Sequence, residues 1–302
     1  MSKTTTTSGI NIPPIVFFGT EDHSLIALKA LVEADYPIAA VVTKGDTPKG
    51  RGKKIAAPVV KTFAAQSGIP VWQPAKLKDI TSDIKQLENP IGVLVSFGKI
   101  IPQSILDLFT PGIINVHPSL LPLYRGPSPI ESAIANRDNK TGVTIMKLEA
   151  AMDAGPIYVQ VPYALDFTET KPELYNTLFT LGANLLVANL PKIVAGELQP
   201  TSQDESSATY CSLLSKDMAQ LDLAQLTPGE AEARIRAHLG FPRSRVTVGS
   251  YDLIVTKAHG VITKETPLDL ECANGAFLSI DEVIAPSGKT MSGAEFLRGY
   301  PL

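Results

Sequence analysis

The chain places an amide and an imidazole one residue apart. Asn115 and His117 close the apolar run Ile113-Ile-Asn-Val and open the stiff segment Pro118-Ser-Leu-Leu-Pro122. Ile113 to Val116 reads as a buried strand, and period-two alternation puts Asn115 and His117 on the same side of it. Such a pair can hold a developing oxyanion or move a proton. A lone strand-end histidine is more often bonded to backbone, but the neighbouring amide and the proline-stiffened turn favour chemistry here. A carboxylate stands in Ala151-Met-Asp153-Ala-Gly155-Pro156. Taken by itself this is ordinary turn composition. Beside an imidazole, Asp153 would orient the ring and stabilise its charged form.

The third feature is the stretch from Lys44 to Lys61. Lys44, Lys49, Arg51, Lys53, Lys54 and Lys61 face only Asp46, and Gly45, Gly50 and Gly52 interrupt the stretch. It shows no periodicity, and a loop this long and basic is commonly functional or disordered. Gly45-Asp-Thr-Pro-Lys-Gly50 nearly spells a phosphate-binding loop, but Arg51 follows where Lys and then Ser or Thr are needed, which excludes nucleotide hydrolysis. The first strand runs into Gly19-Thr-Glu-Asp-His23 without Gly-x-Gly-x-x-Gly, which argues against a dinucleotide site. There is no His-Glu-x-x-His and no Gly-x-Ser-x-Gly. With no evident nucleophile, direct transfer without a covalent enzyme intermediate is the better reading.

These groups need a frame. Ile15 to Phe18, Ile38 to Thr43, Val71 to Gln73, Ile91 to Ser96 and Ile113 to Val116 read as buried strands alternating with helical stripes. That pattern predicts an α/β domain with a parallel sheet covered on both faces. Thr141 to Leu148 and Gly155 to Val161 read as two more strands. A long helix starts at a Thr170/Glu173 capping box, buries Leu174, Leu178, Leu181, Leu185, Leu186 and Leu190, and should kink or end at Pro191.

The polar stretch 199–208 reads as a linker between a catalytic domain at 12–198 and a C-terminal domain at 209–302. The latter opens on a Thr227/Glu230 capping box. Its short strands Arg245-Val-Thr-Val, Tyr251-Asp-Leu-Ile-Val and Phe277-Leu-Ser-Ile suggest a small β-barrel, and Ser292 with Glu295 caps a final helix. Residues 1–11, polar and Thr-rich, read as a disordered tail with neither a secretory nor a transit signature.

Composition bounds the rest. Of 302 residues, 44% are hydrophobic and 19% charged, which is globular usage. Unbroken apolar runs such as 38–42 are too short to span a bilayer. The formal charge of −3 excludes a globally basic nucleic-acid binder but not a local basic patch. Cys211 and Cys272 can build neither a disulfide framework nor a cysteine zinc site.

The segment Asn115-Val-His-Pro-Ser-Leu-Leu-Pro122, with Thr141-Gly-Val-Thr-Ile-Met146 through Asp153-Ala-Gly155, resembles the 10-formyltetrahydrofolate-dependent formyltransferases from Val16 to about Arg298. Glu21 and His23 depart from the family's usual proline and aromatic, and Phe97 from its tyrosine. The resemblance implies a Rossmann-like catalytic domain, an OB-like C-terminal barrel, and Asn115, His117 and Asp153 as catalytic residues. It implies folate contact by Ser119, Leu120, Leu121, Pro122, Phe97 and Gly98, with a cis Leu121–Pro122 bond. Lys44, Arg51, Lys53 and Lys54 are implied contacts to tRNA.

The implied reaction carries the formyl group of 10-formyltetrahydrofolate to the α-amino group of initiator methionyl-tRNA, with no metal. The expected setting is a monomer in the bacterial cytoplasm, away from membranes. The alternative is the same chemistry on the amine of a nucleotide sugar.

Overall fold

The computed structural model describes residues 12–49 and 54–302, so the tail expected at 1–11 lies outside the described residues. In chain order come β1 (Ile15–Gly19), α1 (Ser24–Glu33), β2 (Ile38–Val42), β3 (Thr47–Lys49), β4 (Lys54–Ala56), α2 (Val59–Gln66) and β5 (Val71–Trp72). Then follow α3 (Thr81–Lys85), β6 (Ile91–Val95), α4 (Gln103–Leu106), β7 (Ile113–His117), α5 (Pro129–Ala135), β8 (Lys140–Lys147), β9 (Ile157–Ala164) and α6 (Lys171–Val194). The remainder is α7 (Pro228–Ala237), β10 (Arg245–Val248), β11 (Tyr251–Val261), β12 (Asp269–Glu271), β13 (Phe277–Ile284), β14 (Thr290–Ser292) and α8 (Gly293–Gly299).

Two compact units emerge. The first holds the chain up to Arg125, residues 142–162 and residues 176–209. The second holds 126–141, 163–175 and 210–302. The stretch read as a linker thus groups with the first unit, for reasons that its hydrogen bonds make plain below.

In the first unit a seven-stranded sheet runs β5-β2-β1-β6-β7-β8-β9. The strands from β5 to β7 are parallel, and β8 lies antiparallel to β7. β1 and β7 are buried along their whole length, which is why β1 reads as an unbroken apolar run and β7 as one broken only by Asn115 and His117. Because β1 lies between β2 and β6, the sheet has its switch point there, and a crevice is expected at the carboxyl ends of these strands. On one face, Phe18 packs edge-on to Phe97 and Phe109, with ring centroids 5.6 and 5.8 Å apart. Ile84, Ile105 and Ile113 join that cluster. Each such fully buried side chain contributes about 1.5–3 kcal/mol.

The basic stretch is not the irregular loop that its lack of periodicity suggested. β3 and β4 form an antiparallel hairpin in which Thr47 faces Ala56 and Lys49 faces Lys54. Its base is pinned by Asp46, which accepts from Lys61 Nζ at 2.9 Å and from Gln73 Nε2 at 2.8 Å. Three-residue strands are too short to show an alternation in sequence. Arg51 and Lys53 lie outside the described residues.

α6 runs 24 residues and passes through Pro191 instead of stopping there. Only the last turn follows the proline, so little of the hydrogen-bond ladder is lost, and Gly196 at φ +72° ends the helix as expected. Half of the expected capping box is present: Thr170 N–H and Oγ1–H both donate to Glu173 Oε2. α6 is also long and apolar enough to cross a membrane by length and composition, with a mean hydropathy of 1.3. A search for unbroken apolar runs misses it because polar residues interrupt it. Its apolar stripe, including Leu178, Leu186 and Leu190, is buried within the fold.

The second unit has an antiparallel sheet ordered β10-β11-β13-β12, with β14 also on β13. The pairing of β11 with β13 slips around Lys257, a bulge that bends a strand. α7 and α8 begin with the expected capping boxes, Thr227/Glu230 and Ser292/Glu295. β12 and β14, of three residues each, escaped the sequence reading.

At the end of α7, His238 is buried and its Nδ1–H donates to Ser244 Oγ at 3.0 Å, Ser244 in turn donating to Arg234 O. Burial, then the charges of Arg234 and Lys171, push its pKa down to about 4. The unfolded chain therefore takes up a proton near pH 6.5, where the folded ring stays neutral. The associated stability is complete above pH 6.5 and is lost as pH falls towards about 4. The full loss is about 3 kcal/mol. Unfolding midpoints measured from pH 7 to 4 should drop accordingly, and His238→Gln should flatten that part of the curve.

Candidate active site

β7 delivers Asn115 and His117 to one side of the sheet, each 5% exposed. His117 Nε2 lies 3.0 Å from Tyr124 O. A carbonyl can only accept, so Nε2 carries a proton, and Nδ1 is the nitrogen left for chemistry. Nδ1 is 3.8 Å from Asp153 Oδ2, beyond direct hydrogen-bond length and within ion-pair reach. The backbone bond typical of strand-end histidines and the approach of a carboxylate are thus both present, one on each ring nitrogen. Among the described residues nothing bonds to the Asn115 amide, although the residue is nearly buried.

Local backbone enforces this arrangement. Tyr124 (φ +58°) and Asp153 (φ +49°) both adopt the left-handed region. Non-glycine residues there cost energy and cluster at functional sites. The turn after β7 is closed by Ser119 Oγ donating to Leu123 O at 2.6 Å and by Leu123 N–H donating to Leu120 O. The Leu121–Pro122 bond is cis. From β8, Thr144 Oγ1 donates to Ser119 O at 2.7 Å and accepts from Leu121 N–H and from Gln160 Nε2. Gln160 Nε2 also reaches Leu121 O. Thr144 and Gln160 escaped the sequence reading. They lie on strands whose register fixes their place: Thr144 is paired directly opposite His117.

A cavity of about 460 Å³ lies beside the loop that carries Asp153. Its walls include Leu106, Phe109, Lys147 and Leu148, and residues 149–151 close one side. The sequence candidates for folate contact sit elsewhere. Ser119 is fully buried with its hydroxyl spent on the turn, Phe97 is in the core at 1% exposure, and Leu121 is at 3%. Leu120 packs over Gly142, and Pro122 O accepts from Thr209 N–H. At Gly98 (φ +68°) a side chain would collide with Lys44 Nζ, which also lies 4.0 Å from Glu21. Lys44 therefore stands at the carboxyl edge of the sheet. There the turn after β1 is tied to β6 by Thr20 and Glu21 N–H, both donating to Ser96 O. Lys54 stands on β4 of the hairpin. Among the described residues no group of three or more His, Cys, Asp or Glu forms a metal site.

Residues 15–190 match the Formyl transferase family. Over 303 residues, and 96% of both chains, the sequence is 35% identical to a methionyl-tRNA formyltransferase of Myxococcus xanthus. A methionyl-tRNA formyltransferase of Methylococcus capsulatus is 36% identical over 301 residues, 95% of this chain and 97% of that one. Among solved structures, the fold is similar to an N-formyltransferase from Helicobacter canadensis in complex with folinic acid and dTDP-3-aminofucose. That likeness has a TM-score of 0.68 at 18% identity and covers 89% of this chain and 99% of that one. HypX from Aquifex aeolicus in complex with tetrahydrofolic acid is similar with a TM-score of 0.64 at 18% identity, covering 95% and 48%.

Proposed function

Since the chain belongs to the formyl transferase family, we propose that it moves the formyl group of 10-formyltetrahydrofolate onto the α-amino group of initiator methionyl-tRNA. The observation that carries the chemistry is the approach of Asp153 to His117 Nδ1, on the strand that also carries Asn115. The choice of tRNA as acceptor is supported by relatives that align across both units, and by the basic hairpin.

In this reading the amine attacks the formyl carbon. The Asn115 amide and a proton on His117 Nδ1 stabilise the tetrahedral oxyanion. Asp153 favours the cationic ring and takes the amine proton through water. Collapse breaks the bond to the folate nitrogen, and the proton that Asp153 took is returned through water to that nitrogen as it leaves. His117 Nε2 takes no part, because the Tyr124 carbonyl holds its proton. The segment 118–122 and its partners Thr144 and Gln160 keep His117 and the turn in register, while Phe97 and Gly98 shape the end of β6.

Offering methionyl-tRNA, unacylated tRNA and a nucleotide-linked amino sugar in parallel tests the assignment. Formylation of methionyl-tRNA alone is the expected result. Formylation of the sugar alone would establish the alternative acceptor.

For the basic stretch, Arg51→Ala with Lys53→Ala and Lys54→Ala should raise KM for methionyl-tRNA and spare that for folate. Each lost phosphate contact should flatten the log–log salt dependence by about 0.7–0.9. An unchanged slope would make these residues mere solvated charges.

A further inference from the structure

The segment 199–208, polar enough to read as a linker, is strapped to the loop that carries Asp153. Thr201 and Ile157 exchange backbone hydrogen bonds at 2.8 Å. Two residues on, Gln203 Nε2 donates to Asp153 O and to Gly155 O, both at 2.7 Å. Its Oε1 accepts from Arg125 Nε at 3.1 Å and from Nη2 at 2.9 Å. Two carbonyls on one side and a guanidinium on the other leave only one orientation for this amide, and each of its hydrogen-bonding atoms is used.

Arg125 is fully buried. It pairs fork-to-fork with Glu205, Nη1 to Oε2 at 2.9 Å and Nη2 to Oε1 at 2.7 Å. That hydrogen bonding holds the Glu205 carboxyl below the usual carboxylate range. Arg125 follows Tyr124, whose carbonyl fixes His117 Nε2. One network therefore touches the backbone that orients the imidazole and the backbone that presents the carboxylate.

Residues 149–152 are exposed, and Asp153 is in a left-handed conformation. Gly155 packs so closely on Lys147 O that no side chain fits there. We propose that Gln203, gripped by the buried Arg125 guanidinium, is a positioning residue that fixes Asp153 against His117. The proposal rests on the catalytic reading of Asp153. It turns the apparent linker into a part of the site.

Gln203→Glu is the discriminating variant. It keeps the size and can still pair with Arg125, but it removes both donors to the loop and sets a carboxylate against two carbonyls. Misplacement of a reacting group by a fraction of an ångström to 1 Å costs about ten- to a hundredfold in rate. The full-length variant should show that loss in kcat, with KM for methionyl-tRNA nearly unchanged. In an Asp153→Asn background, where the carboxylate is already gone, the further loss should be under about threefold. Gln203→Asn, one methylene too short to span the gap, should repeat the pattern if the glutamate variant folds poorly.

A wild-type kcat for both Gln203 variants, or an equal loss in both backgrounds, overturns the positioning role and leaves the catalytic reading of Asp153 standing. A wild-type kcat for Asp153→Asn itself overturns that catalytic reading instead.

Discussion

His117→Ala is expected to lower kcat by about 10²–10³-fold, and Asn115→Ala by a similar factor, with folate affinity close to that of the unaltered protein. The magnitude is that of deleting one preorganised oxyanion donor. The site is built so that these losses should fall on the transition state. Both residues are 5% exposed on a strand buried end to end, so neither has far to move when charge develops. The imidazole is further fixed by the Tyr124 carbonyl at 3.0 Å. A donor held in this way before the reaction costs no reorganisation during it. Single-turnover rates with preformed complexes would separate chemistry from binding. Near-normal turnover in His117→Ala would remove the imidazole from the mechanism, and a matching rise in KM alone would make it a binding group.

Asp153→Asn should cost about a hundredfold or more in kcat, the scale of losing a positioned acid–base group. The substitution keeps shape and backbone, and asparagine tolerates the left-handed conformation that Asp153 adopts at φ +49°. The loss should therefore report charge and proton acceptance rather than folding. Because Oδ2 faces His117 Nδ1 at 3.8 Å, the two groups act as a unit. Combining Asp153→Asn with His117→Ala should cost little more than His117→Ala by itself. Fully multiplicative losses would show that the carboxylate works independently of the ring.

The amide and imidazole of the candidate site were legible because their signal is local. Alternation on a short strand sets Asn115 beside His117, and the prolines after it announce a stiff turn. The parallel sheet was legible in unbroken apolar runs, and the helix starts in their capping boxes, which are contacts within four residues. Short or irregular elements were not. The hairpin at 47–56 and the strands β12 and β14 exist through partners that no window of three residues reveals.

The sequence by itself determined the fold class, the pairing of amide and imidazole on one strand face, and the presence of a carboxylate in a tight turn. Only the tertiary structure decided that the carboxylate, 36 positions on, meets that imidazole. It also decided which ring nitrogen is free, since a carbonyl seven residues away holds the other. Least visible was the role of 199–208. Its polarity matches that of a solvated connector, because a segment whose Gln203 bonds to two backbone carbonyls and to a buried guanidinium needs the same kind of polar residue. Composition records that hydrogen bonds are made, and only the folded chain says to whom.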